Sequence, residues 1–411
     1  MGGVKVLYYH QHFSTPEGST GTRSYEMARH LLARGHQVTM VCGSYKGGKT
    51  GLAGPFRGGM RRGLVDGIDV VELELDYANA HGLARRSLTF LRFAARGAAL
   101  AFRESYDVLF ATSTPLTAGI PGILAHWFRR KPFVFEVRDL WPELPKAMGV
   151  ITNPVVLGLM SVLEWLSYHS AQQVIALSPG MAEGIARRGI ARQRITTVPN
   201  GCDVEMFDTV TATWRPEGVS ESDFLAVYGG TFGMANGLAA VLAAAAQLKK
   251  RGRDDIKLVL IGDGKLKPTL MAEIEARGLD HVLLLDPVPK RRLAGLLKAS
   301  DLGLQILADV PAFYDGTSPN KFFDYIACGL PVLINYPGWL ARFVMAEKIG
   351  FAVPPNDPAA FADALEKAAD DRTAVAAMGL AARRAAAQHF KRSDLAQRWI
   401  DTVTGAVQGP M

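Results

Sequence analysis

Cysteine is scarce in this sequence. The 411-residue chain holds three, Cys42, Cys202 and Cys328, far apart and odd in number. That argues against a disulfide framework and for a reducing compartment. No Cys/His set has zinc spacing, and no G-x-S-x-G elbow is present. A Walker loop is missing, as is a G-x-G-x-x-G turn after the first strand, so neither an ATPase nor an NAD enzyme is supported. The start, M-G-G-V-K-V-L-Y-Y-H, has no long apolar signal region and reads as a first β-strand. One stretch without Lys, Arg, Asp or Glu, Val108 to Phe128, has the length of a membrane span. Pro115, Pro121 and several threonines interrupt it, so strand, turn and helix is the better reading. Nucleic-acid recognition motifs are absent although the net charge is +7. That charge suits an anionic ligand or an anionic membrane surface.

What is present is a globular composition, 48% hydrophobic and 21% charged, over a length that predicts two domains. Short apolar strands alternate with longer helices from end to end, the pattern of α/β layers on parallel sheets. Strands are expected at Val4–Tyr9, Gln37–Cys42, Val108–Ala111, Phe133–Val137 and Val174–Leu177, with a mobile Gly- and Lys-rich loop at 43–62. Alternation over Val70–Leu75 puts Glu72, Glu74 and Asp76 on one strand face, a solvated side rather than a metal site. The pattern lapses near Gly201–Ser222 and then restarts with Leu225–Tyr228, which places a domain boundary there. Arg85–Arg103 is a basic amphipathic helix, able to rest on anionic lipid or simply to cover the sheet.

The stretch Thr317 to Ile334 carries the most chemistry. Ser318 is a suitable N-cap, and Pro319 suits the first helical position. The helix ends at Gly329. A helix start exposes unpaired N–H groups and positive dipole, and Lys321 adds a cation in the same turn. A bound phosphate would resolve that conflict, and Asp324 one turn on suits ribose hydroxyls. The same residues also fit a capped surface helix with a solvated Lys and Asp.

Glycine-rich turns follow three strands: Pro16–Gly21, Gly229–Gly233 and Gly262–Gly264. Each lets backbone N–H groups approach a ligand. Arg138-Asp139-Leu140-Trp141-Pro142-Glu143 lies at a strand's C-terminal end, where open α/β sheets bind ligands. Asp139 suits sugar hydroxyls, Arg138 a phosphate and Glu143 an acceptor, or the group is a structural ion pair beside a buried Trp. His10, His12 and Arg23 flank the first glycine-rich turn.

Together these segments resemble glycosyltransferase family 4, retaining enzymes with the GT-B fold. Val137–Glu143 and Ser318–Val332 are similar to the V-R-D-L-W-P-E-like and S-x-K-x-x-E-Y-x-A-x-G-x-P-V-like segments of bacterial exopolysaccharide and O-antigen sugar transferases. The resemblance implies an α/β architecture of two Rossmann-like domains facing across a cleft. The acceptor domain would span 1–205 and the nucleotide-sugar donor domain 206–391, with 392–411 a helix crossing back to the first. It implies catalytic roles for Asp139, Lys321 and Arg138. Donor contacts would come from Gly21, Gly230, Thr231, Asn236, Val288, Gly316, Thr317, Ser318 and Asp324. Acceptor contacts would come from His12, Arg23 and Glu143. No cofactor or metal is expected. The substrates would be a nucleotide-sugar, UDP ranked over GDP, and a saccharide or polyprenyl-linked acceptor. Arg85–Arg103 would touch an anionic membrane surface, on the inner face of the cell membrane, and no nucleic acid is involved. Two departures stand out. The family's two acids eight positions apart are reduced to Asp324, because Gly316 holds the first position. The Arg and Lys of the second domain's first loop are replaced by Thr231 and Asn236, a loss that Lys321 would offset. A nucleotide-sugar 2-epimerase of the same fold and a non-catalytic sugar- or membrane-binding module are the rival readings.

Overall fold

Runs of Val, Ile, Leu and Phe, buried on both faces, make strands that need helices above and below them. The computed structural model describes residues 2–18, 21–45, 48–78 and 81–408. The chain divides into two units. One comprises the residues up to Pro199, with Gly316–Ser318 and Ser393 onward; the other comprises Asn200–Asp315 and Pro319–Arg392.

The first unit holds β1 (Lys5–Tyr9), β2 (Gln37–Gly43), β3 (Met60–Val65), β4 (Ile68–Leu73), β5 (Val108–Thr112), β6 (Phe133–Val137), β7 (Gln173–Ala176) and β8 (Ile195–Thr197). They form one sheet in the order β3-β4-β2-β1-β5-β6-β7-β8. All neighbours are parallel except β3 against β4. Its helices are α1 (Arg23–Ala33), α2 (Leu83–Arg103), α3 (Ile120–Arg129), α4 (Glu143–Ala147), α5 (Pro154–Ser170) and α6 (Pro179–Arg187). Ser178 caps α6 by accepting from the Met181 N–H at 3.1 Å.

The second unit holds α7 (Val204–Asp208) and a six-stranded parallel sheet: β9 (Phe224–Gly229), β10 (Ile256–Ile261), β11 (Val282–Leu285), β12 (Leu302–Gln305), β13 (Val332–Ile334) and β14 (Gly350–Ala352). Their order is β11-β10-β9-β12-β13-β14. Its helices are α8 (Ala239–Lys250), α9 (Lys267–Arg277), α10 (Lys290–Ala299), α11 (Pro311–Tyr314), α12 (Asn320–Cys328), α13 (Trp339–Ala346), α14 (Pro358–Asp370) and α15 (Arg372–His389). Asp357 and Asp371 cap α14 and α15, each accepting a backbone N–H at 2.9 Å, and so divide the Ala-rich stretch in two. The last helix, α16 (Arg392–Gly405), places Trp399 in the first unit's core, 5.7 Å from the Tyr8 ring and 4.7 Å from that of Phe110.

Three expectations need correction. The loop expected over 43–62 gives way at Met60 to β3, an edge strand whose two arginines hide it from an apolar pattern. Glu72 is not on a solvated side: it is 3% exposed and bonded to Thr50 and, at 2.8 Å, to Arg61. The hairpin partner β3 brings Arg61 opposite Glu72 and closes that face. Ser318 is not the N-cap of α12. Pro319 occupies that position with ψ 127°, so helical geometry starts one residue later and Lys321 is the second helical residue.

Candidate active site

In the second unit, β9 ends at Gly229 and runs into Gly230 and Thr231. This is the carboxyl end of a central strand, where open parallel sheets bind ligands. Glycine is needed at two points. A Cβ on Gly262 would lie 1.8 Å from the Gly230 carbonyl oxygen, and one on Gly230 would lie 3.1 Å from Lys321 Cε. The first turn of α12 reaches this strand end. Lys321 Nζ donates to Tyr228 Oη at 2.7 Å and to Asn236 Oδ1 at 3.3 Å, and lies 3.9 Å from the Tyr228 ring centroid. Tyr228 Oη donates in turn to the Thr231 carbonyl at 2.8 Å. Tyr325, the next residue but three on α12, accepts the Gly229 N–H at 2.9 Å and fixes helix to strand.

Every group holding Lys321 is a neutral oxygen or a π face. Among the described residues no carboxylate pairs with it, and burial pulls its ammonium down to about 7. A desolvated amine with neutral partners at a glycine-rich strand end has the chemistry to take an anion. Asp324, one turn on, faces Lys290 at 3.5 Å. Burial raises its carboxyl, against the opposing charges of Lys290 and Arg392. Asp315 is bound to Arg342 at 2.7 Å. Val288 is partly buried in the loop between β11 and α10. Gly316, Thr317 and Ser318 are partly buried in the non-helical segment before Pro319.

In the first unit, β6 ends at Val137, followed by Arg138 and Asp139. The Arg138 N–H donates to Ser113 Oγ at 2.9 Å, beyond the end of neighbouring β5. Burial raises the Asp139 carboxyl, partly offset by Arg138. His10 is buried with its Nδ1 2.8 Å from Ser24 Oγ, and burial holds it well below the ordinary imidazole range. His12 packs among the rings of Tyr45, Tyr77 and Phe90. Burial, with Arg86 and Arg138 nearby, pulls it down to about 4, so it is neutral at pH 7. Its Nε2 is buried without a partner among the described residues. Glu143 is exposed at the start of α4. Gly21 is exposed just before α1, while Ser19 and Thr20 of the same expected turn lie outside the described residues.

Arg23 is a correction. Expected to contact an acceptor, it is 3% exposed and its guanidinium is fully engaged inside the unit. Nε and Nη2 donate to Glu136 at 3.1 and 2.9 Å, Nη1 to the Pro199 carbonyl at 2.8 Å, and Nη2 also to that of Val198 at 2.9 Å. It holds β6 to the chain beyond β8.

Sequence reasoning missed Tyr228, Lys290, Arg86 and the aromatic ring around His12. A signal existed for Lys290: it opens α10 as part of K-R-R, a cation run at a helix start like that of Lys321. Among the described residues no group of three or more His, Cys, Asp or Glu side chains is placed to hold a metal.

Residues 18–201 match the model of the glycosyl transferase 4-like domain, and residues 211–385 that of glycosyl transferases group 1. The chain belongs to the GT-B glycosyltransferases. It is similar to D-inositol 3-phosphate glycosyltransferase of Xylanimonas cellulosilytica, 29% identical over 58% of this chain and 59% of that protein. The chain thus spans little more than half the length of the curated relatives it matches. Among solved structures, sucrose-phosphate synthase from Thermosynechococcus elongatus superposes with a TM-score of 0.74 at 17% identity, over 98% of both chains. Anabaena HepE, solved with UDP and glucose, gives 0.71 at 18% identity, over 98% of this chain and 100% of its own. At such identities the likeness is one of fold.

Proposed function

We propose that the protein is a retaining glycosyltransferase that moves a hexose or N-acetylhexosamine from a nucleoside-diphosphate sugar, UDP favoured, to a saccharide or lipid-linked acceptor. The observation that carries this is Lys321, an ammonium desolvated at the glycine-rich end of β9 with only neutral oxygens around it. Breaking a sugar–phosphate bond puts negative charge on the departing diphosphate while the sugar becomes cationic. Preorganised positive charge at the phosphate is then the most useful catalytic device. Lys321, the N–H groups of Thr317 and Ser318, and the backbone at Gly21, Gly230 and Thr231 supply it in this reading. Asp324 holds the ribose, Val288 reads the base, and Asn236 positions Lys321.

Asp139 orients the sugar and balances its developing positive charge, with Arg138 beside it. His12 and Glu143 serve the acceptor. The anomeric carbon–phosphate oxygen bond breaks, the acceptor oxygen bonds to that carbon on the same face, and its proton passes to the leaving phosphate oxygen. No protein nucleophile and no divalent metal take part, so activity is expected to survive EDTA. The UDP preference is supported by Anabaena HepE, solved with UDP-glucose. Among the described residues no helix is long and apolar enough to cross a membrane. In this reading the enzyme works in the cytoplasm, at the anionic inner face of the membrane.

The test begins with a thermal-shift panel of nucleotide-sugars, because a ligand that binds only the folded form raises Tm. The stabilising donor is then incubated with candidate acceptors, and the anomeric configuration of the product is read by NMR. Retained configuration with UDP release is expected. An epimerised donor in the absence of acceptor would instead assign the 2-epimerase reaction. Unchanged cellular activity of both Lys321→Ala and Asp324→Ala would assign a binding module.

A further inference from the structure

Helix α5 is apolar on two sides: Met160 and Leu163 pack against the first unit's core, and a second apolar stripe faces outward. Its sequence, PVVLGLMSVLEWLSYHS, holds one acid and five large apolar residues along one side. Asn153 caps it by accepting from the Val155 and Val156 N–H groups. A surface helix ordinarily buries the apolar stripe and exposes the polar one. Here the buried positions are Glu164, Ser167, Tyr168 and Ser170. Glu164 is held there by Arg188 of α6's C-terminus at 2.6 Å. The outward face shows Val155 (69% exposed), Val156, Leu159 (67%), Val162 (58%) and Trp165. These recur at helical spacing over the length of the helix. The end of α3 extends the patch: Trp127 and Phe128 are 63% and 72% exposed, and Trp127 Nε1 donates to Ser170 Oγ at 2.9 Å. Contiguous apolar surface of this extent marks an interaction site.

The rim is basic. Arg130, two residues after Phe128, is exposed, as are Lys146 in α4 and Arg187 at the end of α6, while Arg188 beside the middle of α5 is already paired with Glu164. Arg188 also donates to Ser161 Oγ at 3.2 Å. Glu143, the acid whose charge reaches Glu164, is outnumbered. A second copy seated by two-fold symmetry would bring this same positive rim against itself, which is repulsive. An anionic bilayer meets both features: acyl chains take the apolar stripe, lipid headgroups the arginines and lysines, and indole rings sit at the boundary.

We infer that the α5 stripe with Trp127 and Phe128 is a docking surface for anionic membrane, on which α5 lies flat rather than spanning. Helix α2 is less suited. Its Arg85 is paired with Asp76 and its Arg96 with the Gly59 carbonyl, so part of its charge is spent inside the unit. This inference adds the surface to the membrane placement proposed above and does not depend on the transfer reaction.

The experiment is co-sedimentation of the full chain with vesicles of phosphatidylglycerol mixed with phosphatidylcholine, and with phosphatidylcholine alone. Binding to the first, weakened by salt, is expected. Leu159→Glu/Val162→Glu should lower vesicle affinity on the order of tenfold or more, since two apolar anchors are lost and two like charges added. Phe128→Glu, on another helix, should weaken it less. Each altered side chain is exposed, so Tm and UDP binding should be unchanged, and UDP binding separately reports on the donor reading. The inference is overturned if wild type stays in solution with phosphatidylglycerol vesicles, or if both variants pellet like wild type. A wild-type dimer in sedimentation velocity that Leu159→Glu/Val162→Glu dissolves would overturn it too, by assigning the face to a second copy.

Discussion

Arg23 and Lys321 are both drawn out of water, and their surroundings are opposite. Arg23 in the first unit is met by the Glu136 carboxylate and two carbonyls, all within 3.1 Å. Lys321 in the second unit is met by a phenol, an amide oxygen and an aromatic face. The first has its anion built in, so it is a structural fastening. The second has no built-in anion among the described residues, and desolvation pulls its ammonium down to about 7. A buried cation with a carboxylate partner does fold-holding work, while a half-buried one offered only neutral partners can take an anionic ligand.

Substitution separates the two roles. Arg23→Met should unfold most readily, by about 3–5 kcal/mol in urea denaturation, because it strands Glu136 in the core. Loss of transfer in that variant should follow loss of folded protein. Lys321→Met should leave urea stability equal or slightly higher, yet lower kcat by about 10²–10³-fold, as removal of a charge-stabilising donor does. A Lys321→Met variant with near-normal kcat would break the comparison.

The pH dependence carries a sign. Lys321 binds its proton more weakly folded than unfolded, so the unfolded chain holds more protons between pH about 7 and the usual lysine range near 10. Stability from this group therefore rises with pH across that window and is lowest below it. Urea titrations of wild type should show that rise, and Lys321→Met should flatten it. A smaller effect is expected of Tyr228→Phe, which removes one acceptor from Lys321 and keeps the ring. Several-fold lower kcat with little change in Tm is the outcome to look for in steady-state assays.

Periodicity made most of the sheet legible, because β1, β5, β6 and β9 are apolar runs bounded by turn residues. Strand β3 was not, since M-R-R-G-L-V at a sheet edge turns Arg62 to solvent and Arg61 to Glu72 and lacks an apolar run. The start of α12 slipped by one residue because Pro319 is extended rather than helical. Lys321 stood out as a cation at a helix start, where the dipole opposes it. Its partner Tyr228 did not, because nothing local joins residues 93 apart in sequence. The bond between Arg23 and Glu136 spans 113 residues, and a flanking arginine beside a glycine-rich turn looks the same whether it faces solvent or a buried acid. The α5 stretch is apolar around most of its circumference, so its pattern does not tell that Met160 and Leu163 face the core while Val155, Leu159 and Val162 face outward.

The central claim is that Lys321 receives the diphosphate. Calorimetric titration of UDP at about pH 8, in buffers of differing ionisation enthalpy, tests it most directly. An anion beside Lys321 raises its pKa, so wild type should take up about one proton per site on binding, and Lys321→Met should take up none. Equal affinity and equal proton uptake in the two proteins would contradict the account.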